Sequence, residues 1–212
     1  MGGGGHCKSC IEVIESAGKY NIIGFFDKNE KQTLPVFPYP LLGDESLISS
    51  FVDPKNFFLV AVGQIKSAIA RMRLFELIRQ SGGQHISVIS PYSAVSSRSS
   101  IGEGSIVHHH VIVNSGAHIG KNAILNNKSL IEHDCMVGDH CHVSTGAILN
   151  GGCSIGNEVF VGSNSVLVQG VAITSNVVIG AGSVVTENIT ERGIYAGNPA
   201  YKISDDEDAD AA

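Results

Sequence analysis

Tryptophan is absent from the 212 residues, and aromatic residues make up only 6%. A chain this poor in rings cannot fill its interior with large aromatic blocks, so its core has to be built from aliphatic and small side chains. Charge is sparse as well: 16% of residues are charged, and 14 basic against 20 acidic side chains leave a formal net charge of -6. That balance removes the electrostatic footprint of a nucleic-acid binder, whose affinity rests on Lys and Arg set against phosphates. No apolar run approaches the roughly 20 residues a bilayer span needs, and the start lacks the apolar stretch of a secretory leader. A soluble, cytoplasmic protein without a membrane span is expected. Five cysteines, an odd number without the spacing of a small disulfide scaffold, are expected as reduced thiols.

What the chain does have is 25 glycines and a six-residue period. Stepping by six from Ile89 gives Val95, Ile101, Val107, Val113, Ile119, Leu125, Ile131, Val137, Val143, Leu149, Ile155, Val161, Leu167, Ile173, Ile179 and Val185, all aliphatic. Four residues after each of the first sixteen aliphatics comes a small side chain, among them Ser105, Ala117, Ala123, Cys135, Cys141, Ala147 and Cys153. Glycine often follows the aliphatic directly, as at Gly102, Gly120, Gly138, Gly156, Gly162 and Gly180. An amphipathic helix needs spacings near 3.6 and a half-buried strand needs two, so a strict six fits neither. It fits short strands joined by tight turns and wound into a solenoid whose thin interior takes one branched and one small side chain per turn.

Before Ile89 the pattern changes. GGGGH (residues 2–6) leads into CKSCIEVIESAG, a helix closed by Gly18; residues 21–27 and 57–63 read as strands, residues 67–82 as a second helix and residues 85–90 as a third strand. Alternating strands and helices predict a small parallel α/β unit. A glycine turn that opens a helix presents backbone N–H groups and the positive end of the helix dipole, which suits a diphosphate. Asp27, about 20 residues on, stands where an acidic side chain takes hydroxyls of a nucleotide. The motif does not match G-x-G-x-x-G and only one mononucleotide half is present, which argues against a dinucleotide dehydrogenase. Read by themselves, the glycines also fit a flexible start.

Residues 131–142, IEHDCMVGDHCH, gather three histidines, two cysteines and two aspartates and look at first like a zinc site. The hexad register points Cys135 and Cys141 inward as core filler, while His133, Asp134, His140 and His142 fall on differently directed places, so their donors do not converge on one metal. The triplet His108, His109 and His110 is expected as turn or cleft residues, because consecutive side chains of an extended segment point to different sides. Cys7 and Cys10 form a CxxC outside any thioredoxin-like context and read as a pair on the first helix.

GGGGH, FFDK, AVG and ISPYSAVSSRSSIGEG, followed by unbroken hexads, resemble the bacterial hexapeptide-repeat sugar acetyltransferases. These are N-acetyltransferases for nucleotide-linked 4-amino-4,6-dideoxy sugars and a related group that O-acetylates sialic acid. The resemblance implies an N-terminal Rossmann-like α/β unit followed by a left-handed parallel β-helix, assembled as a homotrimer with active sites between subunits. It places a nucleotide-sugar-binding domain at residues 1–88, the β-helix acetyltransferase domain at 89–190 and a C-terminal segment with an acidic tail, read as solvated, at 191–212. That family has an apolar strand before its glycines; here Met1 directly precedes them.

On the segment LIEHDC the resemblance makes His133 the general base that takes a proton from the sugar amine as it attacks the thioester of acetyl-CoA, with Asp134 holding its tautomer. His142 matches a histidine on the acetyl side of the cofactor, and Gly151, Ser163 and Ala181 match cofactor-binding positions. The element YAGNPA resembles a stretch near the cofactor, where Tyr201 replaces a common lysine and Lys202 could reach a phosphate. For the sugar nucleotide the matching positions are Gly4, Gly5, His6, Asp27, Lys28 and Gly63. No metal is implied. The expected partners are therefore acetyl-CoA, a nucleotide-linked amino sugar and two further copies of the chain. A zinc carbonic anhydrase on the same solenoid would need a His-x4-His pair that these histidines do not form, and a non-enzymatic scaffold would have no use for the glycine-rich domain.

Overall fold

Every sixth residue from Gly104 to Gly182 has a backbone φ between 51° and 76°. Six of these are glycine, but the series also includes His110, Asn122, Lys128, Asp134, His140, Glu158, Asn164 and Asn176. A side chain in that left-handed region costs about 1–2 kcal/mol per residue. The cost is offset because the N–H of the strained residue reaches the coil before it: Asp134 N donates to Ser115 O at 3.1 Å and Glu158 N to Asp139 O at 2.8 Å. In the computed structural model, which describes residues 1–29 and 37–205, these turns join two-residue strands into a left-handed parallel β-helix.

Three parallel sheets form its walls. The first contains Val88–Ile89, Ile106–Val107, Ile124–Leu125, His142–Val143, Phe160–Val161 and Val177–Ile179; the second contains Ala94–Val95, Ile112–Val113, Leu130–Ile131, Ile148–Leu149, Val166–Leu167 and Val184–Val185. The third runs through Ser100–Ile101, His118–Ile119, Met136–Val137, Ser154–Ile155 and Ala172–Ile173. The aliphatic series from Val107 to Val185 and the small series, including Cys135, Cys141 and Cys153, are buried along the axis as the period predicts. Ile89 departs from it and is 38% exposed, because it lies in the first coil, where nothing stacks below. Gly138 is needed for close approach: a Cβ there would come within 2.6 Å of the Gly156 backbone. A hairpin of Gly193–Gly197 and Ala200–Ser204 extends the first sheet past Val177–Ile179. Most of the tail read as solvated lies outside the described residues.

The N-terminal unit has helices α1 (Gly5–Ala17) and α2 (Ile69–Gln80) and strands β1 (Phe25–Phe26), β2 (Leu41–Gly43), β3 (Phe57–Phe58) and β4 (Gln84–His85). Helix α1 ends as expected at Gly18, which takes φ 62° and returns its N–H to Ile14 and Glu15. The expected strands over 21–27 and 57–63 shorten to two residues each. Their physical limit is pairing: β1 bonds to β2 and β3 to β4, and among the described residues Met1 and Gly2 bond to β1 and to the chain just past β3. Gly2 N donates to Phe26 O, Ala61 N to Met1 O and the terminal ammonium to Leu59 O, at 2.7–2.8 Å. Met1 also lines a cavity of about 420 Å³ together with Ile11, Ile14, Phe25, Phe57, Leu59 and Ile86.

This unit sits on the first sheet. Cys7, Cys10, Ile11 and Val13 of α1 pack on Val88, Ile106 and Ile124, all buried. Arg71 of α2, 1% exposed, donates to Val62 O at 2.6 Å and to Asn122 O and Oδ1 at 2.7 and 2.8 Å, bonding the unit to a solenoid turn.

The register is testable by contrast. Leu149→Ala removes an axial side chain and lowers the unfolding free energy by about 2–5 kcal/mol, whereas the outward Ser154→Ala changes it by less than about 0.5 kcal/mol; urea denaturation of the two variants measures both.

Candidate active site

The chemistry-bearing residues fall on three places around the prism. His133 and Asp134 occupy the corner between the second and third sheets, in the turn after Leu130–Ile131. Asp134 follows the histidine directly, yet its φ of 59° turns it back so that His133 Nδ1 donates to Asp134 Oδ2 at 2.9 Å. The carboxylate raises the imidazole pKa above its ordinary value, with a smaller push from Glu132. Because Nδ1 carries the proton in this bond, Nε2 keeps its lone pair. Gly151 lies one coil further on, where a Cβ would come within 2.6 Å of Nε2. The corner therefore presents a basic nitrogen beside a glycine that leaves it room. Both side chains are well exposed, at 59% and 72%.

Ser163 and Ala181 stand at a different corner, between the first and second sheets, in turns one coil apart. Ser163 shares a hydrogen bond of 3.0 Å with Ser144 Oγ, and Ala181 is exposed. Within one chain, the whole width of the second sheet separates these two from His133 and Gly151.

The third place is the seam between α1 and the first sheet. Gly4 and Gly5 are exposed at the start of α1, with nothing within 4 Å of a Cβ at either position, so the helix N-terminus is open. Asp27 is turned towards the glycines: its Oδ2 accepts from Gly3 N at 2.6 Å and its Oδ1 from Asn29 N at 2.9 Å. It holds the loop, and Lys28 beside it is exposed. Gly63 packs against His6, its Cβ position 3.6 Å from that of the histidine. His142 lies here too, not beside His133. It is 7% exposed, its Nδ1 donates to Gln64 O at 2.7 Å, and its ring meets Phe160 edge-on at 5.1 Å.

One buried residue of this seam departs from the sequence expectation, and one joins it from the expected helix pair. His108 is 1% exposed beneath α1 instead of lying in a turn; His110 alone of the triplet takes the left-handed turn position. Cys10, one helical turn after His6, faces the same side of α1. Burial pushes the pKa of His6 down to about 3 and those of His108 and His142 to about 4, so all three imidazoles are neutral near pH 7.

The profile of the PglD N-terminal domain matches residues 1–76, and that of the bacterial transferase hexapeptide (six repeats) matches residues 152–187. No curated protein sequence matches. Among solved structures, the acetyltransferase domain of PglB from Neisseria gonorrhoeae FA1090 is 30% identical over 95% of this chain and 97% of its own, with a TM-score of 0.88. The chain belongs to the hexapeptide-repeat acetyltransferases with a PglD-type N-terminal domain. This acetyltransferase is also similar to PerB from Caulobacter crescentus, solved with CoA and GDP-perosamine (29% identity, 94% of this chain and 93% of that one, TM-score 0.87). WeeI from Acinetobacter baumannii AYE is 25% identical over 95% and 97% of the two chains, with a TM-score of 0.85. Among the described residues of the acetyltransferase no helix is long and apolar enough to cross a membrane.

The buried imidazoles make the acetyltransferase acid-sensitive. Unfolded histidines gain a proton below about pH 6.5, while His142 and His108 stay neutral down to about 4 and His6 to about 3. The unfolded state then binds more protons, so stability is full above the unfolded pKa and falls as pH drops through that window. Urea unfolding at about pH 7 and about pH 5 reads the loss, which shrinks in His142→Gln.

Proposed function

We propose that the protein transfers the acetyl group of acetyl-CoA to the 4-amino group of a nucleotide-linked 4-amino-4,6-dideoxy sugar. One observation carries the reading: His133 Nδ1 is committed to Asp134 at 2.9 Å while Nε2 faces the space kept open by Gly151. A well-exposed base held in one tautomer suits proton removal from an attacking amine. The amine lone pair attacks the thioester carbonyl carbon as Nε2 takes the amine proton. The C–S bond then breaks, and the same proton passes to the departing sulfur, giving the amide and free CoA. No covalent enzyme intermediate is needed. The PglB domain has also been solved with acetyl coenzyme A, which supports this acyl donor, and PerB with a GDP-linked sugar supports a nucleotide sugar as acceptor.

The open N-terminus of α1 at Gly4 and Gly5 suits the diphosphate of that acceptor. It lies over the first sheet, on the far side of the prism from the His133 corner, so one chain does not complete the site. A homotrimer joined through the second sheet completes it. Outward-facing Ile112, Leu130, Ile148, Val166 and Val184 stack in register there as an aliphatic ladder. Flanking that ladder are the His133–Gly151 corner on one side and the Ser163–Ala181 corner on the other. Packing ladders around a three-fold axis sets the first corner of one subunit against the second corner of the next, a cleft in which CoA meets the base.

O-acetylation of a sugar hydroxyl is the competing reading, because the same base serves an alcohol. Free-thiol release across amino and hydroxy acceptors, the amino sugars linked to UDP, dTDP and GDP, separates the two; faster turnover of a hydroxy sugar would overturn the amine assignment. His133→Ala is expected to lower kcat by about 10²- to 10⁴-fold while sedimentation still reports the wild-type assembly. Gly151→Ala, whose methyl falls on Nε2, is expected to lower kcat as well. Because the base must be neutral, kcat/KM rises with pH through the raised His133 pKa; Asp134→Asn shifts that limb to lower pH and lowers the plateau.

A further inference from the structure

The seam between the domains contains donors that neither the fold nor the proposed reaction uses. His6, Cys10 and His108 each offer one donor atom, and all of these atoms lie within 4.8 Å of one another. His6 and Cys10 are one turn apart on α1, and His108 follows strand Ile106–Val107 of the first sheet. The rings of His6 and His108 are 5.4 Å apart and tilted by 55°, neither stacked nor hydrogen-bonded to each other. His108 is 1% exposed and neither ring nitrogen has a hydrogen-bond partner; His6 Nε2 is likewise buried without one. A buried imidazole with both nitrogens unsatisfied carries a desolvation cost that native interiors rarely leave standing.

The geometry points to a zinc site shared by the two domains, in which His6, Cys10 and His108 hold one Zn2+ and water completes the tetrahedron. Two imidazoles and one thiolate are a donor set that Zn2+ accepts, at about 2.0–2.1 Å to nitrogen and about 2.3 Å to sulfur. A tetrahedral ion keeps such atoms roughly 3.3–3.6 Å apart, so the trio closes on it by a shift of about an ångström. Both imidazoles are neutral and offer lone pairs without proton competition near pH 7. The Cys10 thiol, 1% exposed and raised to about 12 by burial, gives up its proton on binding: Zn2+ and Cys–SH become Cys–S–Zn+ and a proton released to water. Among the described residues, Arg71 is the one cation whose charge reaches both His6 and Cys10. It disfavours a bare dication and favours a site in which a thiolate supplies a negative charge. His142 stays outside the set, since its Nδ1 is held by Gln64 O at 2.7 Å. The ion would tie the first turns of α1 to the solenoid, fixing the helix N-terminus that the proposed reaction uses for the diphosphate.

Metal binding is read directly and independently of acetyl transfer. The full-length protein, treated with chelator and titrated with Co2+, is expected to take up one equivalent per chain, with tetrahedral d–d absorption and a thiolate-to-metal charge-transfer band, both lost when Zn2+ displaces the Co2+. Cys10→Ala should lose the charge-transfer band and His108→Ala the tetrahedral spectrum, while Cys7→Ala, a buried neighbour outside the trio, keeps both; circular dichroism checks that each variant is folded. Should Cys10→Ala fail to fold, the wild-type spectrum decides, because the charge-transfer band requires a thiolate. Absence of that band, or its survival in folded Cys10→Ala, overturns the site and leaves buried water as the partner of the imidazoles.

Discussion

The triangular cross-section of the solenoid governs the rest of this structure. Its axis has room for one branched and one small side chain per wall, so each hexad is forced to turn at its fourth place, and the backbone there takes the left-handed region whatever residue stands in it. Lys128 and Glu158 accept that conformation although neither gains from it locally. Hydrogen bonds to the preceding coil hold them there, and the cost is spread over a ladder that cannot slip by one residue without turning its whole core outward.

The same constraint creates the His133 corner. A left-handed residue next to His133 is what lets a side chain adjacent in sequence fold back on the imidazole, so the strain at Asp134 is part of how that ring is oriented. In most histidine–carboxylate pairs the acid arrives from a distant segment; here one hexad turn supplies both groups. Gly151 fits the same logic one coil away, at the matching place in the next turn, where any side chain would fall on Nε2.

The N-terminal unit behaves differently because it does not repeat. Its contact with the solenoid depends on α1 lying over Ile106 and Ile124 and on the buried Arg71, whose guanidinium binds carbonyls of its own unit and a turn of the prism at Asn122. A buried cation satisfied by acceptors from both domains sets their relative position more sharply than apolar packing alone. It also leaves the seam rich in imidazoles held neutral by burial.

Much of this was legible in the chain. A period of six over 97 residues, from Ile89 to Val185, has one structural solution, and it identified the inward cysteines from the chain alone. Helix α1 and its glycine start were legible for the same reason, since capping and periodicity are local. Strand lengths in the first domain were not, because a strand exists only where a neighbour pairs with it, and β1 and β3 meet their partners over two residues each. The placement of His142 against Gln64 and the convergence of His6, Cys10 and His108 were beyond reach as well. Local pattern determines which way a side chain leaves its own coil or helix; which distant residue it then meets is decided only when two domains dock, and for His6 and His108 that meeting spans about a hundred residues of chain.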